Sequence, residues 1–144
     1  MKLRVAGPPP GAPRFDRRLL ARRARALLAA LDLPRAELSL ALVSDAAIAS
    51  LNAAHRGRRG PTDVLAYSLL EGAHAAHRAE LLGDVVIATS LAARQARELG
   101  HSLNDELLRL LIHGVLHLLG FDHEKPGDAR RMRAKERALW RAVA

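Results

Sequence analysis

No cysteine occurs in the 144 residues, which excludes a disulfide framework, thiolate metal sites and cysteine nucleophiles, and suits a reducing compartment. Aromatic side chains are nearly absent: Phe15, Tyr67, Phe121 and Trp140 are the whole set. A base-stacking platform of the kind many single-strand binders use is hard to build from so few rings, so any contact with nucleic acid is expected to be mainly electrostatic. Met1 to Ala6 lacks the apolar stretch of a signal peptide, and Arg or His interrupts every later run that approaches the roughly 18 residues of a membrane span. The expected protein is soluble and cytoplasmic, with no membrane partner. Lysine is scarce as well, three residues against 20 arginines, within a formal net charge of +8. An excess of guanidinium groups points to a polyanion, because their planar fork of donors matches phosphate.

What is present suffices for one ordinary domain. Apolar residues make up 49% and charged residues 26%, which excludes a disordered or fibrous chain. Lys2–Ala6 reads as a short strand, closed by the cluster Pro8, Pro9, Pro10, Gly11, Pro13. From Phe15 to Leu31, Leu20, Ala24, Leu27, Leu28 and Leu31 recur at helical spacing opposite Arg18, Arg22 and Arg25. Leu38–Val43 suggests a strand, and Ser44 and Asp45 are good caps for a helix over Ala46–Ala54. A basic loop at His55–Pro61 leads to a strand at Thr62–Leu69, then a loop at Glu71–Glu80. Leu81–Thr89 reads as a buried strand, and Ser90 can cap a helix that stops at Gly100. Ser102 and Asp105 form a variant of the capping box ahead of Leu103–Leu119, the most apolar segment, which belongs in the centre. Gly120 ends it, and a basic helix is expected over Asp128–Val143. The fold class is α+β, a single domain over residues 1–144 with a small mixed sheet packed with helices around a central apolar helix, one core and no internal repeat.

Within that central helix His113 and His117 stand four apart, stacked on one face, with His123 just past Gly120. Three imidazoles at this spacing can converge on one tetrahedral metal ion and leave its fourth position for water, the arrangement of a catalytic rather than a structural site. Zinc is the expected ion, although nickel suits the same donors. With seven histidines in the chain, three at one fixed spacing arise by chance about once in a hundred sequences, and about once in a thousand with the glycine fixed too. The pattern H-x-x-x-H-x-x-G-x-x-H is that of metzincin proteases, so a metalloprotease-like metal site is expected. Those proteases carry a glutamate base directly after the first histidine, where this chain has Gly114. Without that base, a phosphodiester suits the site better than a peptide, and it also accounts for the charge.

The run His113-Gly114-Val115-Leu116-His117-Leu118-Leu119-Gly120-Phe121-Asp122-His123 resembles the signature H-G-x-L-H-L-x-G-[FY]-D-H of the YbeY endoribonucleases at every position. Leu51-Asn52 with Arg56, Pro61-Thr62-Asp63-Val64-Leu65 and Leu82-Gly83-Asp84-Val85-Val86-Ile87 resemble three further segments of that family in the same order. His55 stands where the family has tyrosine, and Ala66-Tyr67 where it has Ser-Phe. The resemblance implies a zinc-dependent endoribonuclease specific for single-stranded RNA. It implies work on ribosomal RNA maturation and ribosome quality control, with the ribosome or its small subunit as partner. It makes His113, His117 and His123 the metal ligands and Arg56 the arginine of the catalytic cleft, a clamp for the scissile phosphate. Asp122 and Glu124, on either side of the third ligand, are candidates to orient an imidazole or shuttle a proton. Asp63 is expected to hydrogen-bond at a strand end, and neither it nor Asp84 is assigned to catalysis. The faces around Arg17–Arg25 and Arg130–Arg141 are candidates to follow an RNA backbone. Two alternatives stand beside this reading: a metal-dependent hydrolase of another substrate such as a peptide, and a non-catalytic ribosome assembly factor with a structural metal.

Overall fold

The computed structural model describes residues 2–56, 63–68, 81–121 and 125–144, and at positions 55, 56, 68 and 81 only the backbone. Most of the expected basic loop, and the expected loop at residues 71–80, lie outside the described residues. In chain order the elements are β1 (Lys2–Ala6), α1 (Arg17–Ala30), β2 (Glu37–Val43), α2 (Asp45–Arg56), β3 (Val64–Ser68), β4 (Leu81–Ala88), α3 (Thr89–Leu99), α4 (Leu103–Leu118) and α5 (Pro126–Val143). The four strands form one sheet in the order β1-β2-β4-β3. β1, β2 and β4 run parallel, with Val5 opposite Leu40 and Leu40 opposite Val85. β3 is the antiparallel edge strand, with Leu65 opposite Val86. This is the α+β mixed sheet that the sequence suggests.

Each strand shows its position in its sequence. β2 alternates, burying Leu38, Leu40 and Leu42 on one face only. β4 lies inside the sheet and is covered on both faces, which is why Val85, Val86 and Ile87 are apolar without a break. The core is therefore in two parts, where the sequence suggested one. The larger part gathers Leu38, Leu40, Val85 and Ile87 with the apolar sides of α1, α4 and α5. A smaller one, around Ile48, Leu65, Val86 and Ala88, fills the opposite face. Hydrophobic counting along the chain cannot show this split, since alternate residues of one strand serve both parts.

α4 occupies the centre. Ten of its sixteen residues are buried, and it touches α1, α3, α5, β3 and β4. The Ser102 hydroxyl accepts from the Asp105 amide at 3.1 Å, as a cap should. The Asp105 carboxylate does not complete a capping box; it accepts from Arg23 of α1 at 3.0 Å and ties the two helices together. The start of α1 is tied to the same place, where the Asp16 amide donates to Asn104 at 2.7 Å. Two of the boundaries that differ from expectation are helix starts with a local cause. α3 starts at Thr89 directly out of β4, so Ser90 falls inside the first turn and no side chain caps the helix. α5 begins at Pro126, because proline tolerates the first turn of a helix.

Candidate metal and catalytic centre

The C-terminal end of α4 closes in a glycine turn. Gly120 adopts φ +94°, donates its amide to the His117 carbonyl at 3.0 Å, and is followed by Phe121 donating to the Leu116 carbonyl at 3.0 Å. These two bonds are a complete Schellman turn. It reverses the chain immediately after the two helical histidines. Asp122, His123 and Glu124 come next, and lie outside the described residues.

His113 and His117 are brought together as the spacing requires. Their Nε2 atoms lie 3.2 Å apart, and the rings meet edge to face with centroids 4.7 Å apart. Two nitrogens bound about 2.0–2.1 Å from one tetrahedral ion are about 3.3 Å apart, so this pair fits two corners of such a site. Among the described residues no group of three such donors converges, and His123, the expected third donor, lies outside them. Neither ring is deeply buried, with His113 27% exposed at the side chain.

A residue that sequence reasoning did not single out completes the pair. Glu136 of α5 places Oε2 3.3 Å from His113 Nδ1. A carboxylate there can accept an Nδ1 proton, the arrangement that leaves the Nε2 lone pair available to an ion and raises the basicity of the ring. Glu136 had a visible signal: it is the one acid in the stretch Arg130–Arg141, in a helix otherwise dominated by arginine.

Gly114, between the two histidines, is explained by packing. A Cβ at this position would stand 2.8 Å from Val85 Cγ1 and 3.3 Å from Val64 Cγ2. α4 therefore lies against β4 and β3 with no room for a side chain, and a glutamate base could not occupy the position. The same contact fixes the height of both histidines over the sheet.

The other candidates fall in different places. Arg56 is the last residue of α2, and its side chain is outside what is described. Asp63 is at a strand end, as expected: its carbonyl accepts from the Ala88 amide at 3.1 Å and its carboxylate from Gln95 at 3.4 Å. Asp84 lines a shallow depression with Lys2, Arg4 and Glu37, apart from the histidine pair. The α1 face divides in function. Arg17 donates to the carbonyls of Val5 and Gly7 and Arg23 to Asp105, so both hold the fold, whereas Arg18, Arg22 and Arg25 line an open surface depression.

A second charged group lies nearer the start of α4. Glu106 is fully buried, accepts from Arg109 Nε at 2.8 Å, and lies 2.7 Å from His101 Nε2. Its hydrogen bonds hold the Arg109 pKa above the ordinary value, against the opposing effect of partial burial. Among the described residues no helix is long and apolar enough to cross a membrane.

Comparison with known proteins identifies the family. The family model described as Endoribonuclease YbeY matches residues 15–144. The chain is 49% identical over 144 residues to an Endoribonuclease YbeY of Anaeromyxobacter dehalogenans (strain 2CP-C), covering 99% of this chain and 72% of the relative. It is 40% identical over 134 residues to that of Geobacter metallireducens, covering 92% and 86%. The solution structure of TM1509 from Thermotoga maritima is similar at a TM-score of 0.65 and 28% identity, over 98% of this chain and 88% of that one. The chain thus belongs to the Endoribonuclease YbeY family, enzymes that cleave the phosphodiester bonds of RNA.

Proposed function

We propose that the protein is a zinc-dependent endoribonuclease of the cytoplasm that cuts single-stranded RNA, in the maturation of ribosomal RNA and in ribosome quality control. Its partner in this reading is the ribosome or its small subunit. The observation that carries the reading is the convergence of His113 and His117 Nε2 atoms at 3.2 Å, with Glu136 behind His113.

His113, His117 and His123 would hold the ion. Three neutral imidazoles suit zinc, and nickel would fit as well. When bound, zinc supplies Lewis acidity, lowering the pKa of water and polarising a phosphoryl oxygen. The protein's own residues do the rest. Glu136 fixes the tautomer of His113. Gly114 seats the ligand helix on the sheet. Arg56, at the end of α2, holds the scissile phosphate by two donors and offsets negative charge as it grows in the transition state. Asp122 and Glu124 flank the third ligand and supply the carboxylates for proton movement.

The reading is tested on gently purified protein by elemental analysis beside a cleavage gel with unstructured RNA. Chelation should abolish cleavage and zinc restore it, while casein stays intact. His113→Ala and Arg56→Ala should lose cleavage yet remain folded; variants that fold and cut like the parent overturn the assignment. The product ends name the nucleophile: a 2′,3′-cyclic phosphate means the ribose hydroxyl, a 5′-phosphate means water.

A further inference from the structure

We infer that the groove between α4 and α5 is a subsite for one nucleotide of the RNA strand, with the base on Trp140 and the phosphate on Arg109, Arg133 and Arg137. This rests on the reading of the substrate as single-stranded RNA. The groove has a volume of about 510 Å³, within the roughly 300–1,000 Å³ of small-ligand sites. It begins where the metal site ends, because Glu136 both contacts His113 and forms part of its wall.

Two kinds of surface meet there. Ile112, almost fully buried, and the half-buried indole of Trp140 provide an apolar floor. Around it stand three guanidinium groups. Arg133 and Arg137 are exposed and have no carboxylate partner among the described residues. Arg109 is held rigid by two bonds to the buried Glu106, at 2.8 and 2.5 Å. Those bonds use two of its five N–H donors and leave three for a ligand. His101, 2.7 Å from the same carboxylate, adds a second restraint. A flat apolar surface edged by fixed and free guanidinium groups is complementary to a base joined to a phosphate, whereas an acidic peptide would leave the indole unused. A chain with four aromatic residues cannot build a platform for many bases, yet one ring in the correct place serves one base.

Trp140 is the only tryptophan in the chain, so its fluorescence reports the groove directly. The full-length protein is titrated with adenosine 5′-monophosphate, with adenosine, with tetraglutamate, and with a 2′-O-methyl tetra-adenylate that cannot be cleaved by 2′-hydroxyl attack. The monophosphate and the tetranucleotide should quench saturably, and adenosine should bind at least about tenfold more weakly, as loss of a charge-assisted contact implies. Arg133→Ala/Arg137→Ala should weaken the monophosphate about tenfold or more and raise KM for RNA with kcat little changed, while its thermal melt matches the parent's. Adenosine binding as tightly as its phosphate, tetraglutamate quenching as strongly as the tetranucleotide, or unchanged affinity in the double variant each overturns the subsite. His113→Ala separates the two readings. It should lose cleavage but keep the quench, and if it cuts normally the catalytic reading fails while the groove is judged by its own titration.

Discussion

Replacing Gly114 by alanine sets two known quantities against each other. Alanine is the better helix former by about 1 kcal/mol, so in an exposed turn the change would stabilise the protein. Here the new methyl would meet Val85 Cγ1 at 2.8 Å and Cγ2 at 3.2 Å. Carbon atoms settle at about 3.5–4.0 Å, so α4 and the sheet must separate locally by about 0.7 Å. Val85 is fully buried and branched, and cannot swing aside. Overpacking of this kind costs about 1–3 kcal/mol, which leaves a net loss of about 1 kcal/mol after the helical gain. For a chain of this size that lowers Tm by about 2–4 °C. Adding Val85→Ala removes the opposing methyl groups, so the two substitutions should couple by about 1 kcal/mol in a double-mutant cycle followed by urea unfolding. Cleavage should fall in the single variant more than stability does, since His113 and His117 ride on the displaced segment. A Gly114→Ala protein as stable as the parent, with additive effects in the cycle, would refute the packing argument.

Glu136→Gln should weaken zinc binding about 10–100-fold, the range for loss of a group that orients a ligand histidine; competition with a chromophoric chelator measures it, and an unchanged affinity would remove Glu136 from the site. Gly114→Glu recreates the protease motif, but the position has no space, so unfolding or aggregation is expected by size-exclusion chromatography, and a folded variant that cuts casein contradicts this. Glu106→Gln should cost about 1–3 kcal/mol, because Arg109 and His101 lose their charged partner inside the fold, and a thermal melt equal to the parent's would count against it. Leu111→Ala, at a fully buried position of α4, should cost about 2–5 kcal/mol by chemical denaturation.

The elements legible in the chain were those whose signals are local. The spacing of Leu20, Ala24, Leu27, Leu28 and Leu31 predicts the buried face of α1; the first four are buried, and Leu31, the residue that caps the helix, is half-buried. Ser102 and Gly120 mark the two ends of α4 through bonds to their nearest neighbours. The histidine pair belongs to the same class, since residues four apart on a helix are adjacent whatever the rest of the fold does. What was hidden depends on which elements meet. Glu136 lies 23 residues beyond His113, and only the contact between α4 and α5 gives it a role. Asp105 has the sequence of a capping residue, yet Arg23, 82 positions away, takes its carboxylate.

Gly114 connects the two classes. In the chain it is an absence, the position where a protease would keep its base. In the fold it is a contact, the point where the ligand helix lies flush on Val85 and Val64. The same missing side chain excludes one chemistry and sets the height of the two histidines over the sheet. The residues that replace the lost base must therefore approach from elements other than α4. In the proposed reading the carboxylates Asp122 and Glu124, which follow Gly120 in the chain, take the place of that base, and Arg56 at the end of α2 meets the phosphate. In the proposed reading catalysis is thereby divided: α4 supplies a pair of donors, α5 orients one of them, His113, through Glu136, and the groups that handle substrate and protons are carried by other segments.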